Sequence, residues 1–118
     1  MKKTETLNKN RDFLRAYKSG VYSASDLLVC YTVKNRSGCV RYGLTASKKV
    51  GNAVGRNRAR RLMRTAFLQL LPNLPSGCDY VFVARDKTKT SCLAPVLRDM
   101  DKLLGRNLSQ LRKKGIIS

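Results

Sequence analysis

The sequence predicts a single small α+β domain, and three stretches carry that expectation. Residues 40–47 alternate strictly, with Val40, Tyr42, Leu44 and Ala46 on one face and Arg41, Gly43, Thr45 and Ser47 on the other. That is the period of a half-buried strand. Between residues 53 and 70, Ala59, Leu62, Met63, Ala66, Phe67 and Leu70 recur at the helical period and form one apolar stripe. Residues 78–85 are almost continuously apolar, as expected of a central strand covered on both faces.

Length and composition fit that frame. A chain of 118 residues supports one core, not two, and a hydrophobic content of 42% argues against general disorder despite a net charge of +18. Cysteines stand at 30, 39, 78 and 92 without a C-x2-C pair, and the chain has no histidine, which argues against a structural zinc site. The N-terminus is basic but lacks the apolar run of a signal peptide, and no segment is apolar enough to span a bilayer. The expectation is a cytoplasmic protein with reduced thiols and no membrane partner.

Taken in order, residues 1–9 are polar and expected to be frayed. Asn10 is the expected cap of a short helix, with Asp12 in its first turn, where the helix field favours an anion. Phe13 and Tyr17 lie four apart and share one helix face, and Gly20 is the expected stop. Residues 21–23 read as a short edge strand and residues 27–33 as a second, longer strand. Residues 34–38, polar and ending in Gly38, read as a hairpin turn into the alternating strand. Asn52 is placed as the cap of the helix over 53–70, which Pro72 and Pro75 terminate. After the strand at 78–85, residues 86–91 form a polar loop. A last helix then starts near Leu93 or Ala94, with Pro95 in its first turn. Val96, Leu97, Met100, Leu103 and Leu104 supply its buried face; Gly105 either ends or bends it, although Leu108 and Leu111 can extend the same pattern, and residues 112–118 are expected to be flexible.

The charge pattern points outside the chain. Between Asp26 and Asp79 there is no acidic residue, whereas ten Lys and Arg occur there. Lys48, Lys49, Arg56, Arg58, Arg60, Arg61 and Arg64 crowd one turn and the helix that follows it. Solvated helix faces normally mix signs, and like charges at i,i+3 and i,i+4 destabilise an isolated helix by about 0.2–0.5 kcal/mol per pair. A polyphosphate partner supplies the missing counter-charge, and the planar arginine fork matches phosphate oxygens. The open Arg41 face of the alternating strand and the Phe13–Tyr17 pair suit an extended nucleic-acid strand with stacked bases. Phe13 and Tyr17 as ordinary core anchors, and the cations as a solubilising surface, remain alternatives at this level.

A protein-borne active site is hard to assemble. General acid–base chemistry has no histidine to draw on, and Glu5, Asp12, Asp26, Asp79, Asp86, Asp99 and Asp101 are scattered along the chain. Gly51 and Gly55 lack the Lys-Ser/Thr that follows the glycines of a nucleotide-binding P-loop. The residues alone therefore describe an RNA-binding module without its own chemistry.

The run from Gly43 to Arg64, with Ser47-Lys48-Lys49-Val50-Gly51-Asn52 and Arg56-Asn57-Arg58-Ala59-Arg60-Arg61 at its centre, resembles the signature of the bacterial ribonuclease P protein subunit. The flanking order agrees: a short helix with Phe13 and Tyr17, strands, the arginine-rich helix, Tyr80-Val81-Phe82-Val83-Ala84-Arg85, and a closing helix. The resemblance spans roughly residues 7 to 105. It implies a two-layer α/β sandwich of the ribosomal-protein-like type, with about four strands, three helices and a left-handed βαβ crossover.

The resemblance also implies a division of labour. A catalytic RNA carries the active site and the magnesium ions and removes the 5′ leader of precursor tRNA, while the protein alone is inactive and needs no organic cofactor. One protein per catalytic RNA is expected. By motif, the leader-binding residues would be Phe13, Tyr17, Arg41, Tyr42, Lys48 and Lys49; Arg56, Asn57, Arg58, Arg60, Arg61 and Arg64 would contact the catalytic RNA. Gly55 departs from the family pattern, in which a larger residue is common, and Tyr17 stands where phenylalanine is usual. A ribosome-associated RNA-binding protein or RNA chaperone is the alternative. Specific 5′ cleavage in the presence of the catalytic RNA distinguishes the two.

Overall fold

The computed structural model describes residues 3–118. Eight regular elements follow one another: β1 (Thr4–Thr6), α1 (Asn10–Ser19), β2 (Val21–Ala24), β3 (Leu28–Lys34), β4 (Val40–Thr45), α2 (Ala53–Leu70), β5 (Cys78–Ala84) and α3 (Leu93–Lys113). The strands form one mixed sheet in the order β1-β4-β5-β3-β2. β1, β4 and β5 run parallel, and β3 is antiparallel to both β5 and β2. The fold is α+β, as the residue pattern predicts.

The central position of β5 explains its sequence. Its Tyr80 and Phe82 are buried on one side of the sheet and Val81 on the other. α2 is the crossover that carries the chain from β4 to the parallel β5, and it lies with α3 over the Tyr80 side. There Ala59, Met63, Ala66 and Phe67 are buried, with Leu62 and Leu70 packed at the margin, so the predicted stripe faces the core. The Phe67 ring lies 4.6 Å from Tyr42, 5.4 Å from Phe82 and 5.9 Å from Tyr80, centroid to centroid. α3 is held on the same side by buried Asn107. Its Nδ2 donates to the Cys30 carbonyl (3.0 Å) and Thr32 Oγ1 (3.1 Å), and its Oδ1 accepts from Ser23 Oγ (2.9 Å). Every polar atom of that amide thus has a partner, which makes its burial tolerable.

Two local expectations are corrected, and the chain ends are more specifically built than their composition suggests. Residues 34–38 do not close a hairpin, because β5 inserts between β3 and β4. Asn35 instead braces that connection, its Oδ1 accepting from the Ser37 and Gly38 amides and its Nδ2 donating to the Cys39 carbonyl. Asn10 is the first residue of α1 rather than its cap; Lys9 holds that place without a side-chain hydrogen bond. Within the two end segments, Thr4–Thr6 pair with β4, Leu7 is buried, and α3 extends to Lys113. Met1 and Lys2 lie outside the described residues. α3 passes through Gly105 without a break and ends at Lys113, where Gly115 at φ 73° lets the Ile116 amide reach back to the Leu111 carbonyl. That is the glycine-dependent closure that satisfies orphan carbonyls at a helix end.

Candidate nucleic-acid interface

The other side of the sheet is only partly covered, by α1. Register fixes the row on this side: Tyr22 of β2, at the open edge, Tyr31 of β3, Val81 of β5 and Gly43 of β4 lie side by side across the sheet. α1 buries Ala16 in a small cluster with Val81 and Leu7, and Phe13 packs at its edge. Gly43 makes that seat possible, since a Cβ there would fall 2.5 Å from the Phe13 ring. Tyr17 stands edge-on to Tyr31 at 4.9 Å and is 39% exposed. The structure therefore brings Phe13 and Tyr17 to one face, Phe13 half-buried and Tyr17 open. The end of α1 is equally specified, because any side chain at Gly20 would strike the Ala16 and Thr32 carbonyl oxygens at 2.6 and 2.9 Å.

The neighbouring row is Ala24, Val29, Val83 and Thr45. None of these four is fully buried, and all are small or β-branched, so they give a shallow floor. From Thr45 the chain runs into a 3-10 turn, Lys48–Val50. Ser47 caps that turn by accepting from the Lys49 amide, Val50 plugs it into the core, and Lys48 and Lys49 remain exposed. Gly51 follows at φ 142°, where L side chains are strained, with the Lys89 side chain lying against it.

The row on the other side is electrostatic. Asp79, fully buried, accepts from Arg41 Nε (2.7 Å) and Nη2 (2.7 Å), from Arg15 Nη2 (2.7 Å) and from Asn35 Nδ2 (2.8 Å). Burial by itself would raise its pKa, but the hydrogen bonds from Arg41, Asn35 and Arg15 outweigh that and hold the carboxyl below its ordinary range. This carboxylate joins α1, β4, β5 and the Asn35 connection. Arg41, assigned from motif to leader binding, has two of its nitrogens committed to Asp79 and a further contact to Asp12 at 3.5 Å. It is a brace first, with its side chain only 19% exposed.

Tyr42 does not belong to this face, and its assignment to the leader set is corrected. The alternation that points Arg41 and Gly43 toward α1 turns Tyr42 into the opposite core, stacked on Phe67. A buried ring beneath α2 has no access to a strand lying across the α1 face.

The arginine cluster occupies the outer side of α2. Asn52 caps the helix by accepting from the Gly55 amide at 3.0 Å. Gly55 has room for a Cβ at ordinary contact distance from Lys89, so neither space nor φ demands glycine there. Arg58 donates from Nε and Nη2 to the Lys89 and Ser91 carbonyls, both at 2.8 Å, and pins the loop before α3. Arg60 Nη2 donates to Asn57 Oδ1 at 2.7 Å. Arg56 is half-buried with its Nε unpartnered among the described residues, while Arg61 and Arg64 are exposed. Among the described residues, no carboxylate pairs with any of these five arginines. The six assigned residues are thus on one helix, but Arg58 also has a structural task.

Among the described residues there is no cluster of three or more metal-capable side chains. Burial pushes the Cys30 thiol up to about 12, so it stays protonated and inert. No helix of the described residues is long and apolar enough to cross a membrane. Sequence reasoning missed Tyr31, Tyr22 and Asp79. Tyr31 alternates with buried Cys30 and Thr32 and so points to the other face, but only the strand register sets it beside Tyr17 and Tyr22.

Comparison with known proteins places this geometry in context. The family model "Ribonuclease P" matches residues 1–107. The ribonuclease P protein component of Clostridioides difficile is 38% identical over 105 residues, covering 88% of this chain and 92% of that protein. That of Pelotomaculum thermopropionicum is 42% identical over 93 residues, covering 78% and 83%. Among solved structures, the RNase P protein of Staphylococcus aureus superposes with a TM-score of 0.73 at 31% identity, over 85% of this chain and 92% of that one. The RNase P protein of Thermotoga maritima gives 0.75 at 28% identity, over 86% and 96%.

Proposed function

The chain belongs to the ribonuclease P protein family, and we propose that its two cationic surfaces serve two different RNA partners. It acts as the protein part of a ribonucleoprotein endonuclease and assists a catalytic RNA in removing the 5′ leader of precursor tRNA. The reaction centre and its magnesium ions belong to the RNA, with one protein per catalytic RNA, in the cytoplasm. The α1 face takes the single-stranded leader: Phe13 and Tyr17 offer ring surface, Thr45, Val83 and Val29 a floor, and Lys48 and Lys49 phosphate contacts. Stacking of this kind is worth about 1–3 kcal/mol per base and tolerates sequence variation. Arg56, Asn57, Arg60, Arg61 and Arg64 face the catalytic RNA, lowering repulsion between its phosphates so that metals bind at lower concentration.

One observation supports this division above the others. Phe13 is seated on Gly43, which leaves Tyr17 and Tyr31 at the rim of an open strip of sheet that leads into the lysine turn. The test is reconstitution at low magnesium. The protein with catalytic RNA is expected to cleave precursor tRNA at the 5′ junction, and the RNA-free protein is expected to be inactive. Cleavage by the RNA-free protein, or failure to promote cleavage while accelerating unrelated RNA annealing, would overturn the reading.

A further inference from the structure

Tyr22 lies on the same face as Phe13 and Tyr17 but outside the leader contacts assigned to them and to Lys48 and Lys49. It projects from the edge strand β2 on the α1 face, 66% exposed, the largest exposure of any aromatic side chain in the described residues. A lone exposed tyrosine needs no explanation. This one closes a series. Its ring is tilted 32° to Tyr31 at a centroid distance of 5.7 Å, and Tyr31 meets Tyr17 at 4.9 Å. Strand pairing fixes the spacing, since Tyr22 and Tyr31 are direct partners in the β2–β3 ladder. The two most exposed rings of the chain therefore flank the half-buried Tyr31, and the series runs outward to the sheet edge.

We propose that Tyr22 is an outer stacking position for one base of the single-stranded leader, beyond the base that meets Tyr17 and Tyr31. The proposal rests on the α1 face being the leader site. A base laid on Tyr22 covers a ring that otherwise faces water, and it needs no base-edge hydrogen bond. Stacking strength rises with the area of the base, so the position favours a purine without requiring one. A leader too short to reach β2 gains nothing from Tyr22. The residue thus sets how far along the leader affinity continues to accumulate.

The experiment uses the holoenzyme and precursor tRNAs whose leaders lengthen one nucleotide at a time, with Tyr22→Ala and Tyr22→Phe beside the parent protein. With the parent, affinity rises with leader length in steps. With Tyr22→Ala, one late step of roughly five- to tenfold is lost, shorter leaders bind as before, and Tyr22→Phe restores the step. Leaders carrying 2-aminopurine at successive positions locate the base: its fluorescence rises on Tyr22→Ala at one position only. Thermal melts of each variant confirm that β2 still pairs. Identical length profiles for parent and Tyr22→Ala overturn the assignment of Tyr22 and leave the leader site standing. No dependence on leader length in any protein overturns the leader site itself.

Discussion

The two faces of this sheet carry equal numbers of aromatic rings and put them to opposite uses. Tyr42, Phe67, Tyr80 and Phe82 are buried against one another beneath α2 and α3. Phe13, Tyr17, Tyr22 and Tyr31 lie on the α1 face, none of them fully buried. Residue type does not decide between these fates. Coverage does: two long helices seal one face, whereas the ten residues of α1 leave a strip of the other open. The polar groups divide the same way. Asn107 sits in the sealed face as a fully satisfied amide, while Asp79 on the α1 face gathers two arginines whose side chains are partly exposed.

Substitutions that treat the two faces alike should therefore give different readouts. Phe67→Ala leaves a cavity among three rings, and we expect a loss of about 3–5 kcal/mol in denaturant unfolding. Binding of leader-bearing and leaderless tRNA should fall together, through the folded fraction alone. Selective loss of leader binding would place Phe67 functionally on the wrong face.

Asp79→Asn follows in size. It leaves Arg15 and Arg41 without their carboxylate, and breaking a buried pair by one partner costs about 3–5 kcal/mol, with the lower end expected because Arg15 is 38% exposed. The pH dependence carries a sign. A carboxyl held below its ordinary range contributes stability that is fully present above the unfolded-state value and disappears as pH falls toward the folded one. Parent stability should thus drop below about pH 4, and the Asp79→Asn profile should be flatter there. Parallel profiles would mean that the network is not what fixes α1.

Phe13→Ala comes next. It should weaken precursor binding by about 1–3 kcal/mol while mature tRNA binding holds, as measured by equilibrium titration of the holoenzyme. Equal losses for both substrates would make Phe13 a core residue only.

Much of this division is legible in the chain. The alternation at residues 40–47 separates Arg41 and Gly43 from Tyr42, and the stripe from Ala59 to Leu70 separates core from arginines. Following that alternation strictly would have kept Tyr42 out of the leader set. The larger unread parts are non-local. Three residues of β1 gain their strand only by pairing with β4, and residues 34–38 look like a hairpin turn until β5 arrives from more than forty residues away. Asp79 is a single acid in an apolar strand, and nothing nearby in sequence announces the three donors that surround it.

The smallest effects per residue test the central claim most directly, because they compare the α1 face with the outer face of α2 at constant charge change. Lys48→Ala with Lys49→Ala, and Arg60→Ala with Arg64→Ala, each remove two cations, and each lost phosphate contact should lower the salt slope by about 0.7–0.9. None of the four side chains belongs to the core, so circular dichroism should report intact folds. The decisive measurement is the ratio of precursor to mature tRNA affinity for the assembled holoenzyme, taken with protein affinity for the catalytic RNA. The lysine pair should lower the ratio and leave assembly intact; the arginine pair should weaken assembly, raise the magnesium needed for cleavage and leave the ratio unchanged. The same profile from both pairs would mean one diffuse electrostatic surface and would contradict the division into two sites.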